Sequence, residues 1–315
     1  MSEPLFLEPV FKEKIWGGTA LRDQFGYNIP SDHTGECWAI SGHPHGPSTV
    51  KNGEYAGKTI IELWEHQPEL FGHYPGKVFP LLTKILDANR DLSVQVHPDD
   101  AYAHANENGE LGKTECWYII DCKEGAELIY GHHARSKEEF MGWVEEGKWD
   151  SLLRKVPIHP GDFFYVPSGT IHALCEGTLV LETQQSSDTT YRVYDYDRTD
   201  DQGNKRELHL QKAIDVTMIP HRDAEVRQET EEKPGVVITA FAKEQFFSVY
   251  KWDVSGQAAF TQNEPFQLVS VLNGTGTLKT GGASYPLEKG MHFLLPAGFG
   301  EFEMEGRLSM IVSHP

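Results

Sequence analysis

The sequence predicts a mainly β protein, an antiparallel sandwich or barrel with a few helices, on three observations. Gly and Pro punctuate short runs rich in β-branched and aromatic residues through most of the chain, the pattern of many short strands joined by turns. Helix-like clustering of apolar residues is confined to a few stretches. A Gly-x5-Pro-x-Gly frame occurs twice, at Gly161–Gly169 and at Gly290–Gly298, which indicates an internal duplication of a β unit.

The strands are read from Thr114 to Ile120, Phe163 to Val166, Thr178 to Thr183, Thr189 to Tyr196 and Phe266 to Leu272. Helices are expected within Gly57 to Phe71, near 207–214, and within Ser136 to Arg154, where Ser136-Lys137-Glu138-Glu139 offers a capping box. A further short helix is expected over Ala101 to Asn108, with Asp99 and Asp100 as its cap. Asn273-Gly274-Thr275-Gly276 reads as a hairpin turn; no Lys or helix follows to make it a phosphate loop. The charged, Pro-terminated stretch Gln228 to Pro234 suggests a boundary. Residues 1–230 then form the unit with the chemistry, and 235–315 a smaller, wholly β unit.

Composition narrows the function. The chain has 315 residues, more than one hydrophobic core usually spans, and 39% are hydrophobic. Its 47 acidic against 28 basic residues give a net charge of −19, which argues against a nucleic-acid partner. An anionic substrate would require Lys and Arg to be concentrated in the pocket. No stretch approaches the length of a membrane span, and no export signal is visible. Cys37, Cys116, Cys122 and Cys175 form no Cys-x-x-Cys pair, so a reduced cytoplasmic setting is expected, with Cys116 and Cys175 packed as small apolar groups rather than bound to metal.

The chemical signal lies in Ser93-Val94-Gln95-Val96-His97. Alternation along a strand sends Ser93, Gln95 and His97 to one face and the valines to the other. Gln and His two residues apart, joined by Glu115 and by His172 downstream, can supply a mixed nitrogen and oxygen metal site. Glu115 alternates with Cys116, so the thiol should face away. The second Gly-x5-Pro-x-Gly frame carries Glu301 where the first carries His172. One copy thus keeps a ligand set that the other lacks.

Together Gln95-Val96-His97, Glu115 and the Gly-x5-Pro-x-Gly-x2-His motif resemble the cupin double-stranded β-helix, or jelly roll, with the carboxy-terminal unit a degenerate cupin-like β domain. The match is closer still in Lys14-Ile15-Trp16-Gly17-Gly18, Thr83-Lys84-Ile85-Leu86-Asp87-Ala88, Lys113-Thr114-Glu115-Cys116-Trp117, Gly169-Thr170-Ile171-His172-Ala173-Leu174 and Ser187-Asp188-Thr189-Thr190-Tyr191-Arg192-Val193-Tyr194-Asp195. Their order, from about residue 8 to about 215, resembles type I mannose-6-phosphate isomerases, in particular the short bacterial subgroup that lacks a long helical insertion. The resemblance implies one zinc ion held by Gln95, His97, Glu115 and His172, a catalytic Arg192, and a sugar phosphate interconverted between its mannose and fructose forms by proton transfer between C1 and C2. A monomer or weak homo-oligomer is expected.

That reaction needs a stabilised enediolate and a proton shuttle. Zinc can act as a Lewis acid and Arg192 can add fixed positive charge. Lys113, two residues before Glu115 and on its face, can be the base if a neighbouring cation depresses its pKa; Glu182 and a water or hydroxide on zinc are the alternatives. Ser93 and Lys84 are the candidates for phosphate binding, and Arg192 can serve there instead. Two other classes fit parts of the pattern: a non-haem iron oxygenase, which Gln95 as a fourth ligand disfavours, and a non-catalytic sugar-binding cupin, which Arg192 and Lys113 disfavour. His43-Pro44-His45 and His132-His133 read as surface polarity in loops without a partner carboxylate, and His104 as helix decoration.

Overall fold

The computed structural model describes residues 3–199 and 202–315. Three antiparallel sheets are stacked; the helices Lys137–Glu145 and Leu210–Val216 cover one outer face, while Ala20–Phe25 and Ile60–His66 pack into the cluster that joins the other two sheets. The innermost pair encloses the site. One is five-stranded, in the order Tyr191–Tyr194, Val94–Val96, His172–Leu174, Glu127–His132, Leu153–Pro157. The other is six-stranded, in the order Phe163–Val166, Glu115–Cys122, Thr178–Gln185, Leu81–Ala88, Thr34–Ser41, Val10–Gly18.

Each layer is explained by which side chains alternate into it. Leu128, Tyr130 and Leu174 of the five-stranded sheet meet Leu86, Trp117, Ile119 and Val180 of the six-stranded sheet in one buried cluster. On the opposite face of the five-stranded sheet, Val94, Val96, Ile171 and Ala173 pack against Phe140 and Val144 of the helix Lys137–Glu145 and Ala213 and Ile214 of the helix Leu210–Val216. The two valines that frame Gln95 therefore face helices. The outer face of the six-stranded sheet, carrying Cys37, Ile85, Cys116 and Leu181, is covered by Phe241, Phe247, Leu268 and Ile311 of the third sheet. Cys116 thus faces away from Glu115, as alternation requires.

The third sheet is nine-stranded and holds the carboxy-terminal strands from Glu229 onward together with two short amino-terminal ones. Leu5–Glu8 pairs with His292–Leu295, placing Leu5 opposite Leu294, and on its other edge with Thr49–Val50. The stretch read as a boundary contains a strand, Glu229–Lys233, paired along its length with Val236–Lys243. All five of its residues are exposed, and their charges suit a sheet edge. Asn273-Gly274 is likewise not a hairpin turn. It lies inside the continuous strand Gln267–Thr280, at a bulge between Val271 and Asn273 where Gly274 takes a φ of 87°.

The helices start near their expected signals, with two differences. Ser136 caps its helix by accepting from the Glu139 amide, but the Glu139 carboxylate accepts from the Arg135 amide, one residue short of a reciprocal box. The reciprocal box forms instead at Thr59 and Glu62, opening the helix Ile60–His66. Asp99 caps the helix Asp100–Asn106, while Asp100 turns to the Gly112 amide and Gln185. No described helix is long and apolar enough to cross a membrane.

Leu5 is 1% exposed and seals the seam between the amino-terminal strand and the carboxy-terminal sheet. Leu5→Ala should cost about 2–4 kcal/mol of stability, the usual range for truncating a buried leucine. Chemical denaturation followed by tryptophan fluorescence measures it, and an exposed control such as Leu208→Ala should be nearly neutral.

Candidate active site

Two rows of cross-strand neighbours build the site. In the five-stranded sheet Arg192 pairs with Gln95, and Gln95 with His172. In the six-stranded sheet Trp38 pairs with Lys84, Lys84 with Glu182, and Glu182 with Trp117. The sheets face each other, so the rows become opposite walls of a cavity of about 320 Å³. Trp117 links them, its indole N–H donating to Glu182 Oε2 at 3.0 Å and its ring 5.3 Å from that of His172.

Glycine geometry aims two of the walls. Gly169, at a φ of 86°, donates its amide to the His97 carbonyl at 2.9 Å and turns the chain so that His172 enters its strand facing inward. The corresponding Gly298 of the second frame also has positive φ, at 65°. At Gly17 a side chain would collide with the Gly35 amide, and this close approach lets Trp16 lie over Gly35 on the cavity wall.

The metal-ligand set is brought together as expected. Ligand atoms of His97, Glu115 and His172 all lie within 4.8 Å of one another. All three side chains are at most 1% exposed. His97 Nδ1 donates to the Thr189 carbonyl at 2.8 Å and His172 Nδ1 to the Thr170 carbonyl at 2.9 Å, which leaves both Nε2 atoms as lone-pair donors facing Glu115. Burial, then the adjacent Lys113, pushes His97 down to about 3, and burial lowers His172, so both rings are neutral. Glu115 Oε1 is buried without a hydrogen-bond partner. The Gln95 amide nitrogen is 3.3 Å from His172 Nε2, and a half-turn of that amide would present its oxygen to the same point. Neutral imidazoles, a carboxylate with a free oxygen and an amide make a donor set that fits a divalent cation.

Lys113 also lies where its spacing put it, its ammonium 2.7 Å from Glu115 Oε2 and 3.0 Å from His97 Nε2. It is not depressed: burial acts to lower it, but Glu115 and Glu182 hold it above the ordinary lysine value. Burial also works against ionisation of Glu115, yet Lys113 and the two histidines keep it well below the usual carboxylate range. Glu182 moves the other way, raised by burial and by the negative charge of Glu115.

The remaining candidates divide between the walls. Ser93 Oγ accepts from Arg192 Nε at 3.3 Å, whereas Lys84 is 3.3 Å from Glu182 and 5.2 Å from the Trp38 ring. They share the cavity without touching. The cavity is lined by five cations, Lys14, Lys84, Lys113, Arg192 and Arg206, against three carboxylates, Glu36, Glu182 and Asp188. Positive charge is therefore concentrated here within a strongly acidic chain. Lys14 pairs with Glu36, Lys84 with Glu182, Lys113 with Glu115 and Arg206 with Asp195. Among the described residues only Arg192 of the five lacks a carboxylate partner; it is held by Ser93 and the Glu207 carbonyl.

Several wall residues escaped the sequence reading. Glu36 and Trp38 alternate on the fully buried strand Thr34–Ser41, bonded to each other at 2.7 Å; a carboxylate in so apolar a strand was a readable signal. Arg206 had none, because only the fold brings it to Asp195. The histidine pairs need correcting. Asp188 supplies the carboxylate that His43 and His45 appear to lack in sequence, with Oδ2 2.6 Å from His45 Nδ1. His132 is buried, its Nε2 donating to the Met218 carbonyl at 3.0 Å. The cysteines are free, and burial pushes Cys116 up and Cys175 up to about 12, so neither is a thiolate.

Two cupin-type β units, one with a buried cluster that can hold a metal ion, define the class. Residues 5–120 match the model of the phosphomannose isomerase type I catalytic domain, and residues 237–315 that of the mannose-6-phosphate isomerase cupin domain. A probable mannose-6-phosphate isomerase of Bacillus subtilis is 61% identical over the full length of both chains. A mannose-6-phosphate isomerase of Streptococcus mutans is 55% identical, over 100% of this chain and 99% of its own. The crystal structure of a mannose-6-phosphate isomerase from Bacillus subtilis superposes with a TM-score of 0.99 at 60% identity, covering both chains completely. The chain belongs to the type I mannose-6-phosphate isomerase family.

Asp195 organises the segment that follows Arg192. Burial opposes its charge, but Arg206 and Arg198 hold it below the usual carboxylate range. Asp195→Asn should therefore cost about 1–3 kcal/mol, a buried-pair loss discounted for partly exposed arginines. Because the folded-state value is the lower one, this contribution is fully present above about pH 4 and is lost as pH falls through the folded value. Melting curves of both proteins should keep a constant separation from neutrality to about pH 4 and converge below it. A separation that widens on acidification would contradict the assignment.

Proposed function

We propose that this enzyme interconverts mannose 6-phosphate and fructose 6-phosphate, with one zinc ion held by Gln95, His97, Glu115 and His172. The observation that carries the reading is Arg192, a cavity guanidinium with no carboxylate in ion-pair contact among the described residues, paired across the strand with Gln95. A fixed cation whose guanidinium is held by a hydroxyl and a carbonyl, beside a metal-ready cluster, suits a substrate that is anionic and develops further negative charge.

When bound, zinc supplies Lewis-acid polarisation of the sugar oxygens at C1 and C2. The protein's own groups do the rest. Arg192 offsets the charge of the enediolate, with Ser93 fixing its Nε. Lys113 keeps Glu115 ionised and ready as a ligand. The proton that moves between C2 and C1 falls to Lys113 or Glu182, both buried on the cavity wall. Lys84 and Ser93 are the phosphate candidates; Lys84 can exchange its contact with Glu182 for a phosphate oxygen.

A coupled assay with mannose 6-phosphate, before and after chelation and with zinc added back, tests the function and the metal together. Activity is expected in the metal-replete protein, lost on chelation and restored by zinc. An inactive metal-replete protein overturns the isomerase, and activity that survives complete metal removal overturns the zinc role. Arg192→Ala should lower kcat by about 100-fold or more, the size of one lost donor to transition-state charge. A change confined to KM would move Arg192 to phosphate binding.

A further inference from the structure

Asp188 reaches the cavity wall from the turn after the strand Thr178–Gln185, and two histidines of a distant segment hold it there. His45 Nδ1 lies 2.6 Å from Asp188 Oδ2, and His43 Nε2 lies 3.8 Å from Oδ1. The two rings meet edge to face with centroids 4.8 Å apart, and His43 packs in turn on the cavity residue Trp38 at 5.6 Å. The trio is asymmetric: His43 is buried, whereas the His45 side chain is 68% exposed.

Tautomers separate this trio from the metal cluster. The His45 amide donates to His43 Nδ1 at 3.2 Å, so a neutral His43 carries its proton on Nε2, towards Asp188. A metal ligand would need a lone pair at that atom. At His97 and His172 the arrangement is reversed, with Nδ1 donating to carbonyls. His45 is therefore a hydrogen-bond donor to the carboxylate, and His43 turns its Nε2 proton towards it from 3.8 Å, beyond hydrogen-bond distance. Lys84 adds positive charge towards the same carboxylate, and Glu110 is the opposing acidic neighbour.

We propose that His45 is a positioning residue for substrate binding. From the protein surface it fixes Asp188 Oδ2, with His43 behind, so that Oδ1 is presented to a hydroxyl of the sugar phosphate. The proposal rests on the isomerase reading above. A hydroxyl held alike in the bound state and the transition state contributes to KM rather than to kcat.

The test uses full-length, zinc-loaded wild type, His45→Ala and His45→Asn. Asn retains an N–H close to the position of Nδ1, and a side chain so exposed can be replaced without loss of folding. His45→Ala should raise KM for mannose 6-phosphate about tenfold, the size of one charge-assisted hydrogen bond, with kcat within about threefold of wild type. His45→Asn should return KM to within about threefold of wild type. The proposal is overturned by an unchanged KM in His45→Ala, by a loss confined to kcat, or by Asn rescuing no better than Ala. It is also overturned if wild type binds a second equivalent of zinc that His45→Ala loses, which would make the trio a metal site. An inactive wild type would instead count against the isomerase reading, so the two failures are distinguishable.

Discussion

The carboxylate of Glu115, wholly shut off from water, is the constraint on which the rest of the site depends. An ion of that kind loses several kcal/mol of hydration that only other charges and dipoles can replace. Lys113 at 2.7 Å meets one side of the demand, and Oε1 is left open for a cation. The same negative charge reaches the next wall. It raises Glu182, and Lys84 stands against Glu182 in turn, backed by the face of Trp38. A single buried anion thus sets the state of an alternating series of charges across the cavity.

Sheet register makes that series possible. Residues directly opposite one another on antiparallel strands are fixed near each other by the backbone ladder, without long side chains searching for partners. Arg192, Gln95 and His172 occupy one such row, and Trp38, Lys84, Glu182 and Trp117 the other. A one-residue slip in either sheet would turn a whole row outward. The apolar partners of each row guard against it, since Val94 and Val96 are committed to the helices while Cys116 and Leu181 are committed to the third sheet.

Much of this was legible in the residues. Period-two alternation at Ser93 to His97 and at Glu115 gave the faces correctly, and the repeated Gly-x5-Pro-x-Gly frame located two turns with matching positive-φ glycines at Gly169 and Gly298. What stayed hidden depended on distance along the chain. Asp188 and His45 are separated by 143 positions, and Arg206 meets Asp195 only because the chain doubles back. Local composition misled where a bulge borrows the residues of a turn, as at Asn273-Gly274. A depressed Lys113 depends on a cation that the protein's own residues do not supply, since its nearest strong neighbour is the anion of Glu115.

The pairing of Leu5–Glu8 with His292–Leu295 has a consequence for biogenesis. Leu5–Glu8 is made long before this partner, so it must wait while all the residues between them are added. At roughly 5–20 residues per second the delay is about 15–60 s. During that interval the edge that faces His292–Leu295 has no native mate, although Thr49–Val50 can pair with the other. Closure of this seam is consequently a late event, and Leu5–Glu8 is open to mispairing or chaperone capture while it waits.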